Sequence, residues 1–484
     1  MSNFIVKKVA VLGAGVMGAQ IAAHCVNAKV PVVLFDLPAK EGPKNGIVLR
    51  AIEGLKKLSP APLGNKDDAA CIEVANYDDG LELLKGCDLI IEAIAERMDW
   101  KHDLYKKVAP FIAPDAIFAS NTSGLSITAL SDGFAAELKA RFCGVHFFNP
   151  PRYMHLVELI PTATTRPEIL DQLEGFLVTT LGKGVVRAKD TPNFIANRVG
   201  VFNMLATIHE AEKFGLSCDL VDDLTGAKLG RAKSGTFRTA DVVGLDTLGH
   251  VVKTMQDTLG DDPFAACYKT PEILTRLVAA GALGQKTGAG FYKRVGREVQ
   301  RLDFASGQYV AGGGKADDLV VRILKEKDAA KRMKALRDSG NPQAQFLWAI
   351  FRDAFHYIAV HLEAVADTPC AGASARSWVR SKPGRRRAGS RSPTGSRKTS
   401  TPAKPCVRRR CRPGCSTDAA ACMPPTAPGR RHARPMCRVP LSPSTAASRS
   451  APRFWARAQP TAARAARRCS RTNRYASGIR ATRC

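Results

Sequence analysis

The chain has 484 residues, a formal net charge of +28, 45% hydrophobic residues and 14 cysteines. That length gives room for two or three domains that each bury a core, which excludes a small fold held together by disulfides or a metal. No apolar run reaches the roughly eighteen residues of a membrane span, and the opening MSNFIVKKVAVLGAG passes straight into a strand pattern without a signal peptide. A soluble, cytoplasmic protein with no membrane partner is the expectation.

The charge is unevenly placed. Residues 369–484 hold 25 Arg, 3 Lys and one acidic residue, Asp418, whereas residues 1–368 hold 44 basic and 43 acidic groups. The body is therefore nearly neutral, and its charge calls for no specific nucleic-acid partner. Its six cysteines (Cys25, Cys71, Cys87, Cys143, Cys218, Cys267) show no paired spacing. They read as small buried apolar residues in a reducing compartment.

In chain order, Lys8 to Leu12 (KVAVL) reads as a strand, Val16 to Ala28 as a helix and Val32 to Phe35 as a second strand. A helical stretch around Ile47 to Leu58 follows, then strands at Leu89 to Ala93, Ala116 to Ala119 and Phe142 to His146. Short apolar runs alternating with helical patterns mark parallel strands joined by crossover helices. From Phe194 to Phe214 the pattern becomes helical, and this region closes near Lys286 to Lys293. Arg294 to Asn341 is polar and reads as a connector with some helix. Gln343 to Ala366 is an amphipathic helix with Phe346, Ile350, Phe351, Phe355, Ile358 and Leu362 on one face. It looks like a second copy of the helix at Phe194, the start of a tandem repeat.

The predicted fold is α/β: a Rossmann-type doubly wound parallel sheet (1–189), an all-α helical domain (190–293), the connector (294–341), a truncated second helical copy (342–368) and a disordered basic C-terminal tail (369–484). The tail has one Leu, one Ile and three Val in 116 residues, too little apolar surface to offset the entropy of ordering it. A shifted reading frame in GC-rich coding sequence produces this residue mix. The alternative is a basic tail that binds nucleic acid, which eight cysteines and no repeating motif disfavour.

Gly13-Ala14-Gly15-Val16-Met17-Gly18 fits G-x-G-x-x-G between a strand and a helix, and Asp36 lies 18 residues beyond the last glycine. Gly13 permits a tight turn, Gly15 lets the backbone approach a pyrophosphate, and Gly18 lets the helix pack on the strand. The helix N-terminus, with Val16 and Met17, offers free N–H groups to the phosphates. Asp36 accepts from the adenine ribose and repels a 2′-phosphate, so NAD is the expected cofactor rather than NADP.

Gly144-Val145-His146-Phe147-Phe148-Asn149-Pro150 ends the strand segment, and Glu158 lies twelve residues past the histidine. Oxidising a secondary alcohol needs a base for the hydroxyl proton and an acceptor for the hydride. Histidine suits the first task, because an ordinary imidazole titrates near neutrality. A carboxylate on its other nitrogen would fix the tautomer and stabilise the imidazolium.

The glycine motif, Ser120-Asn121-Thr122-Ser123, the His146 to Pro150 box with Glu158, Asp190 to Arg198 (DTPNFIANR), Val243 to Thr247 (VGLDT) and Lys286 to Lys293 (KTGAGFYK) stand in one order. This ordered set, from about residue 5 to 293, resembles the L-3-hydroxyacyl-CoA dehydrogenases. The resemblance implies oxidation of the 3-hydroxyl of an acyl-CoA in fatty-acid β-oxidation, with His146 as base and Glu158 as its partner. It places Ser123 and Asn197 where they hydrogen-bond substrate or orient the histidine. Asn149 and Glu96 fall on cofactor-contacting positions, and Lys101 on one near both cofactor and CoA. It also implies a homodimer through the helical domain.

Two positions depart from the family pattern: Asn193 stands where a glycine is usual, and Gly235-Thr236-Phe237-Arg238 replaces Gly-Pro-Phe-Glu. The family's CoA-binding serine and lysine have no clear counterpart, Lys56 and Lys57 being the nearest basic residues. The helix at Gln343 resembles the long members, which add a second helical copy and sometimes a crotonase-type domain. With those parts missing, that helix would lack a packing partner, and an impaired NAD-binding remnant is the competing reading.

Overall fold

In a computed structural model of the chain, residues 5–366 are described. The expected disorder and reading-frame origin of 369–484 lie outside the described residues. Eight strands form one sheet in the order β3-β2-β1-β4-β5-β6-β7-β8. They are β1 (Val9–Leu12), β2 (Val32–Asp36), β3 (Ile72–Asn76), β4 (Leu89–Glu92), β5 (Ile117–Ser120), β6 (Phe142–Phe147), β7 (Leu156–Pro161) and β8 (Gly184–Arg187). Helices α1 (Val16–Asn27), α2 (Gly46–Leu55), α3 (Met98–Val108), α4 (Ile127–Ser131), α5 (Ala136–Lys139) and α6 (Pro167–Thr179) connect and cover them. β1, β4 and β5 are buried at every residue, which accounts for their unbroken apolar runs.

The parallel-sheet expectation needs one correction. β1 to β6 run parallel, but β7 is antiparallel to β6, and β8 pairs parallel with β7. Only residues 148–155 separate β6 from β7. That is too short for a crossover helix, so the chain reverses and pairs back on itself. β3, β7 and β8 were not anticipated: β3 exposes Glu73 within IEVAN, and β8 carries only four residues.

The second half holds α7 (Ala196–Lys213), α8 (Cys218–Thr225), α9 (Phe237–Val243), α10 (Leu245–Thr258) and α11 (Glu272–Ala279). The connector, read from the sequence as polar with some helix, also holds sheet. It contains an antiparallel meander of β9 (Tyr292–Val295), β10 (Glu298–Leu302) and β11 (Tyr309–Ala311), followed by α12 (Asp318–Lys325) and α13 (Ala329–Asp338). Gly296, with φ +61°, makes the first hairpin turn.

α14 (Pro342–Val365) packs on α7 and α13 and touches α8, so the expectation that it lacks a partner is also corrected. Its buried face is rotated from the expected one. Phe346, Leu347, Ile350, Tyr357, Ile358 and His361 are inside, whereas Phe355 is 47% exposed. Polar groups caused the misreading. Tyr357 goes inward because Arg198 Nε donates to its Oη at 3.0 Å, and His361 lies beside the same pair, with Nε2 3.2 Å from Asp262 but making no hydrogen bond. Phe346→Ala should cost about 3–5 kcal/mol in a denaturant melt. A loss under about 1 kcal/mol would mean that α14 is not docked as described.

Candidate active site

The glycine turn follows β1 and opens α1. Gly13 has φ +105°, and a Cβ there would meet the Ala93 carbonyl oxygen at 2.8 Å. A Cβ on Gly18 would lie 1.8 Å from the Gly13 oxygen, so α1 could not approach β1 with any side chain there. Around Gly15, by contrast, nothing lies within 4 Å of a built Cβ. The start of α1 has no side-chain cap and no acidic residue, and Val16 is 68% exposed. Uncapped N–H groups beside open space fit an anionic pyrophosphate. Asp36, at the end of β2, accepts from Ala14 N at 2.6 Å and Leu37 N at 2.7 Å. A carboxylate has about four acceptor positions, so two remain for a ribose diol.

His146 and Glu158 face each other across the β6–β7 pair, in direct register. Both are buried, at 3% and 0% exposure, and His146 Nδ1 is 2.8 Å from Glu158 Oε2. The twelve-residue spacing is thus the span of one antiparallel hairpin. Glu158 Oε1 accepts from Ile195 N (3.1 Å) and Ala196 N (2.8 Å), at the start of α7. A carboxylate only accepts, so the imidazole proton sits on Nδ1 and the Nε2 lone pair faces outward. Ser123 Oγ lies 3.0 Å from Nε2. Phe148 and Phe194 flank the ring at centroid distances of 4.4 and 5.7 Å.

The turn that carries Ser123 is held from two sides. Glu96 accepts from Thr122 Oγ1 at 2.5 Å and from Ser123 N and Gly124 N at 2.8 Å each. Burial alone would raise the Glu96 pKa, but Lys101 and these hydrogen bonds outweigh it and hold the carboxyl below its ordinary value. On the other side, Asp190 accepts from Ser126 Oγ, Ile127 N and Thr128 N, capping α4. Lys101 does not face open space. It is fully buried, with Nζ 2.5 Å from Glu92 and 3.8 Å from Glu96, so it reaches a ligand only through Glu96.

Asn149 ties the two halves of the site together. Its Oδ1 accepts from Gln20 Nε2 at 3.1 Å, so the loop after His146 rests on α1 just past the glycine turn. Lys183 anchors that loop through the carbonyls of Pro151 and Met154, and burial pushes its pKa down to about 8. Asn149, Gly15, Gln20, Leu55 and Leu58 line a cleft of about 430 Å³. Lys56 is paired with Glu53 at 2.5 Å, and neither Lys56 nor Lys57 lines this cleft. Asn197 stands in the first turn of α7, half-buried, and its side chain has no hydrogen-bond partner among the described residues. Sequence reasoning passed over Glu92, which is buried and bonded to Lys101, Tyr105 and Ser120. A lone acid closing the apolar run LIIE was the available signal.

Family models match most of the described residues. Residues 8–191 match the 3-hydroxyacyl-CoA dehydrogenase NAD binding domain, and residues 194–294 match the C-terminal domain of the same family. The chain belongs to the 3-hydroxyacyl-CoA dehydrogenase family. Membership makes it an NAD-dependent oxidoreductase and places the glycine turn in the NAD-binding domain. A probable 3-hydroxyacyl-CoA dehydrogenase of Deinococcus radiodurans is 44% identical over 302 residues, covering 62% of this chain and 86% of that protein. One of Bacillus subtilis is 38% identical over 388 residues, 77% of this chain, and the chain spans about half (49%) of its length. Among solved structures, Mycobacterium tuberculosis FadB2 is similar with a TM-score of 0.51 and 31% identity, over 60% of this chain and 100% of that one. The 3-hydroxybutyryl-CoA dehydrogenase of Escherichia coli gives a TM-score of 0.52 at 27% identity, over 66% and 64%.

Proposed function

We propose that this chain oxidises the 3-hydroxyl of an L-3-hydroxyacyl-CoA to the ketone, a step of fatty-acid β-oxidation, with His146 as the base. The observation that carries this reading is the hydrogen-bonded line Glu158, His146, Ser123 at the carboxyl end of β6, joined to α1 through Asn149. NAD, when bound, supplies the hydride acceptor. Gly13, Gly15, Gly18, Val16 and Met17 hold its pyrophosphate, and Asp36 its adenine ribose.

His146 Nε2 takes the hydroxyl proton as the hydride leaves C3. Glu158 stabilises the resulting imidazolium through Nδ1–H, and the α7 N–H groups keep the carboxylate from turning away. Ser123 follows the proton, since its hydroxyl donates to the free Nε2 and accepts from the protonated one. Glu96 and Asp190 act by holding the Ser123 turn, and Lys101 by holding Glu96. Asn197, near the same dyad at the start of α7, contacts substrate. The cytoplasm as location rests on the six free cysteines of the body, and a homodimer on Val242 and Val243 of α9, 62% and 52% exposed.

NADH formation from short- and long-chain L-3-hydroxyacyl-CoA tests the reading, and no turnover at any chain length rejects it. Asp36→Ala should raise the KM for NAD about 10–100-fold, the equivalent of one charge-assisted hydrogen bond or more. The same variant should narrow the preference over NADP. Unchanged KM values for both cofactors would remove Asp36 from the site.

A further inference from the structure

Asn193 is an anomaly in the hinge between β8 and α7. Its φ is +60°, the left-handed region where most side chains are strained and asparagine is among the best tolerated. The residue is 2% exposed, and its Nδ2 is buried without a partner, as is Oγ1 of Thr191 two residues earlier. A buried amide left unpaired is costly, and the cost is removed only when an acceptor arrives.

The carboxamide stands against the catalytic turn. Its Oδ1 is 3.6 Å from where a Cβ on Gly124 would be, and the neighbouring Ser123 reaches His146 Nε2. Phe194, next in sequence, packs on the imidazole, and Ile195 and Ala196 hold Glu158. His146 is itself only 3% exposed, so opening the site enough to admit a ligand to the imidazole opens the same wall. In the sheet order, β8 and the hinge lie on the opposite side of β6 from β1 and its glycine turn. The hinge therefore lies beyond the imidazole from the glycine turn, the side on which the substrate is placed here.

We infer that Asn193 is a specificity-determining residue whose Nδ2 donates a hydrogen bond to the thioester carbonyl oxygen of the acyl-CoA. This rests on the dehydrogenase reading above. With the 3-hydroxyl held by His146 and Ser123, the thioester carbonyl two carbons away is the next acceptor along the substrate, and the hinge amide, whose Oδ1 abuts Gly124, is a fully buried unpaired donor beside that turn.

The test is Asn193→Gly. Glycine accepts φ +60° and leaves no orphaned amide, so the variant should fold, and its melting temperature, measured alongside, separates a catalytic loss from unfolding. The expected result is a roughly 10–100-fold fall in kcat/KM for 3-hydroxyacyl-CoA with the Kd for NADH unchanged. Calorimetry with a 3-ketoacyl-CoA should show the same weakening. A thioether analogue lacking the carbonyl should bind wild type and variant equally. Unchanged kcat/KM and product binding would give the amide's partnership to solvent and overturn the inference. A loss confined to NADH affinity would give it to the cofactor and overturn it equally. Wild-type turnover, measured alongside, judges the dehydrogenase reading separately, because the binding arms need no turnover.

Discussion

His146→Gln is expected to lower kcat for alcohol oxidation by about 10²–10⁴-fold, the usual contribution of a positioned general base. The Kd for NADH should stay at the wild-type value, because the dinucleotide is held by the turn at Gly13 to Gly18 and by Asp36, on the far side of β4 and β5 from the imidazole. Stopped-flow measurement of the hydride step, with NADH binding followed separately, checks both parts. A variant within about threefold of the wild-type kcat would remove the imidazole from the reaction.

Glu158→Gln is expected to produce a loss of similar size for a different reason, together with a drop in stability that His146→Gln lacks. The carboxylate has two jobs. Oε2 takes the Nδ1 proton, and Oε1 takes two N–H groups from the first turn of α7. A carboxamide has one acceptor oxygen. If that oxygen keeps the α7 bonds, the NH₂ faces Nδ1, drives the proton to Nε2 and disables the base. If it keeps the histidine, buried N–H groups of α7 lose their acceptor, at about 1–3 kcal/mol each. A normal kcat together with a normal melting temperature would show that this carboxylate neither sets the tautomer nor joins β7 to α7.

Much of the site was readable from local pattern. The glycine turn follows from spacing alone, since Gly13 and Gly18 each occupy a place that any Cβ would block. The histidine and the glutamate were also recognisable as chemical types, and the ordered motifs supplied the pairing. What stayed hidden is how the chain brings them together. β7 contributes Glu158 by reversing direction, a choice set by the short loop 148–155 and invisible in hydrophobic pattern, because a buried antiparallel strand reads like a parallel one.

The supporting shell was harder to see. Glu92 reads as an incidental charge, and Lys101 as a contact near cofactor and CoA, until burial shows them bonded to each other. Asp190 stood in a quoted motif, but its hold on α4 joins residues more than sixty positions apart. On α14, periodicity assigned Phe355 inward and Tyr357 to no particular face. The structure inverts this because Arg198 and Tyr268 offer hydrogen bonds to the Tyr357 hydroxyl, at 3.0 and 2.9 Å. Long-range polar partners override a hydrophobic tally, and one sequence does not reveal them.

The pH dependence of kcat/KM, compared between wild type and His146→Gln, tests most directly whether the braced imidazole is the proton acceptor. The wild type should lose oxidation activity on the acid side, because a base that already holds a proton cannot take the one on the hydroxyl. The variant's residual rate should be flat across that range. The same acid limb persisting in the variant would assign the proton to another group and contradict the account.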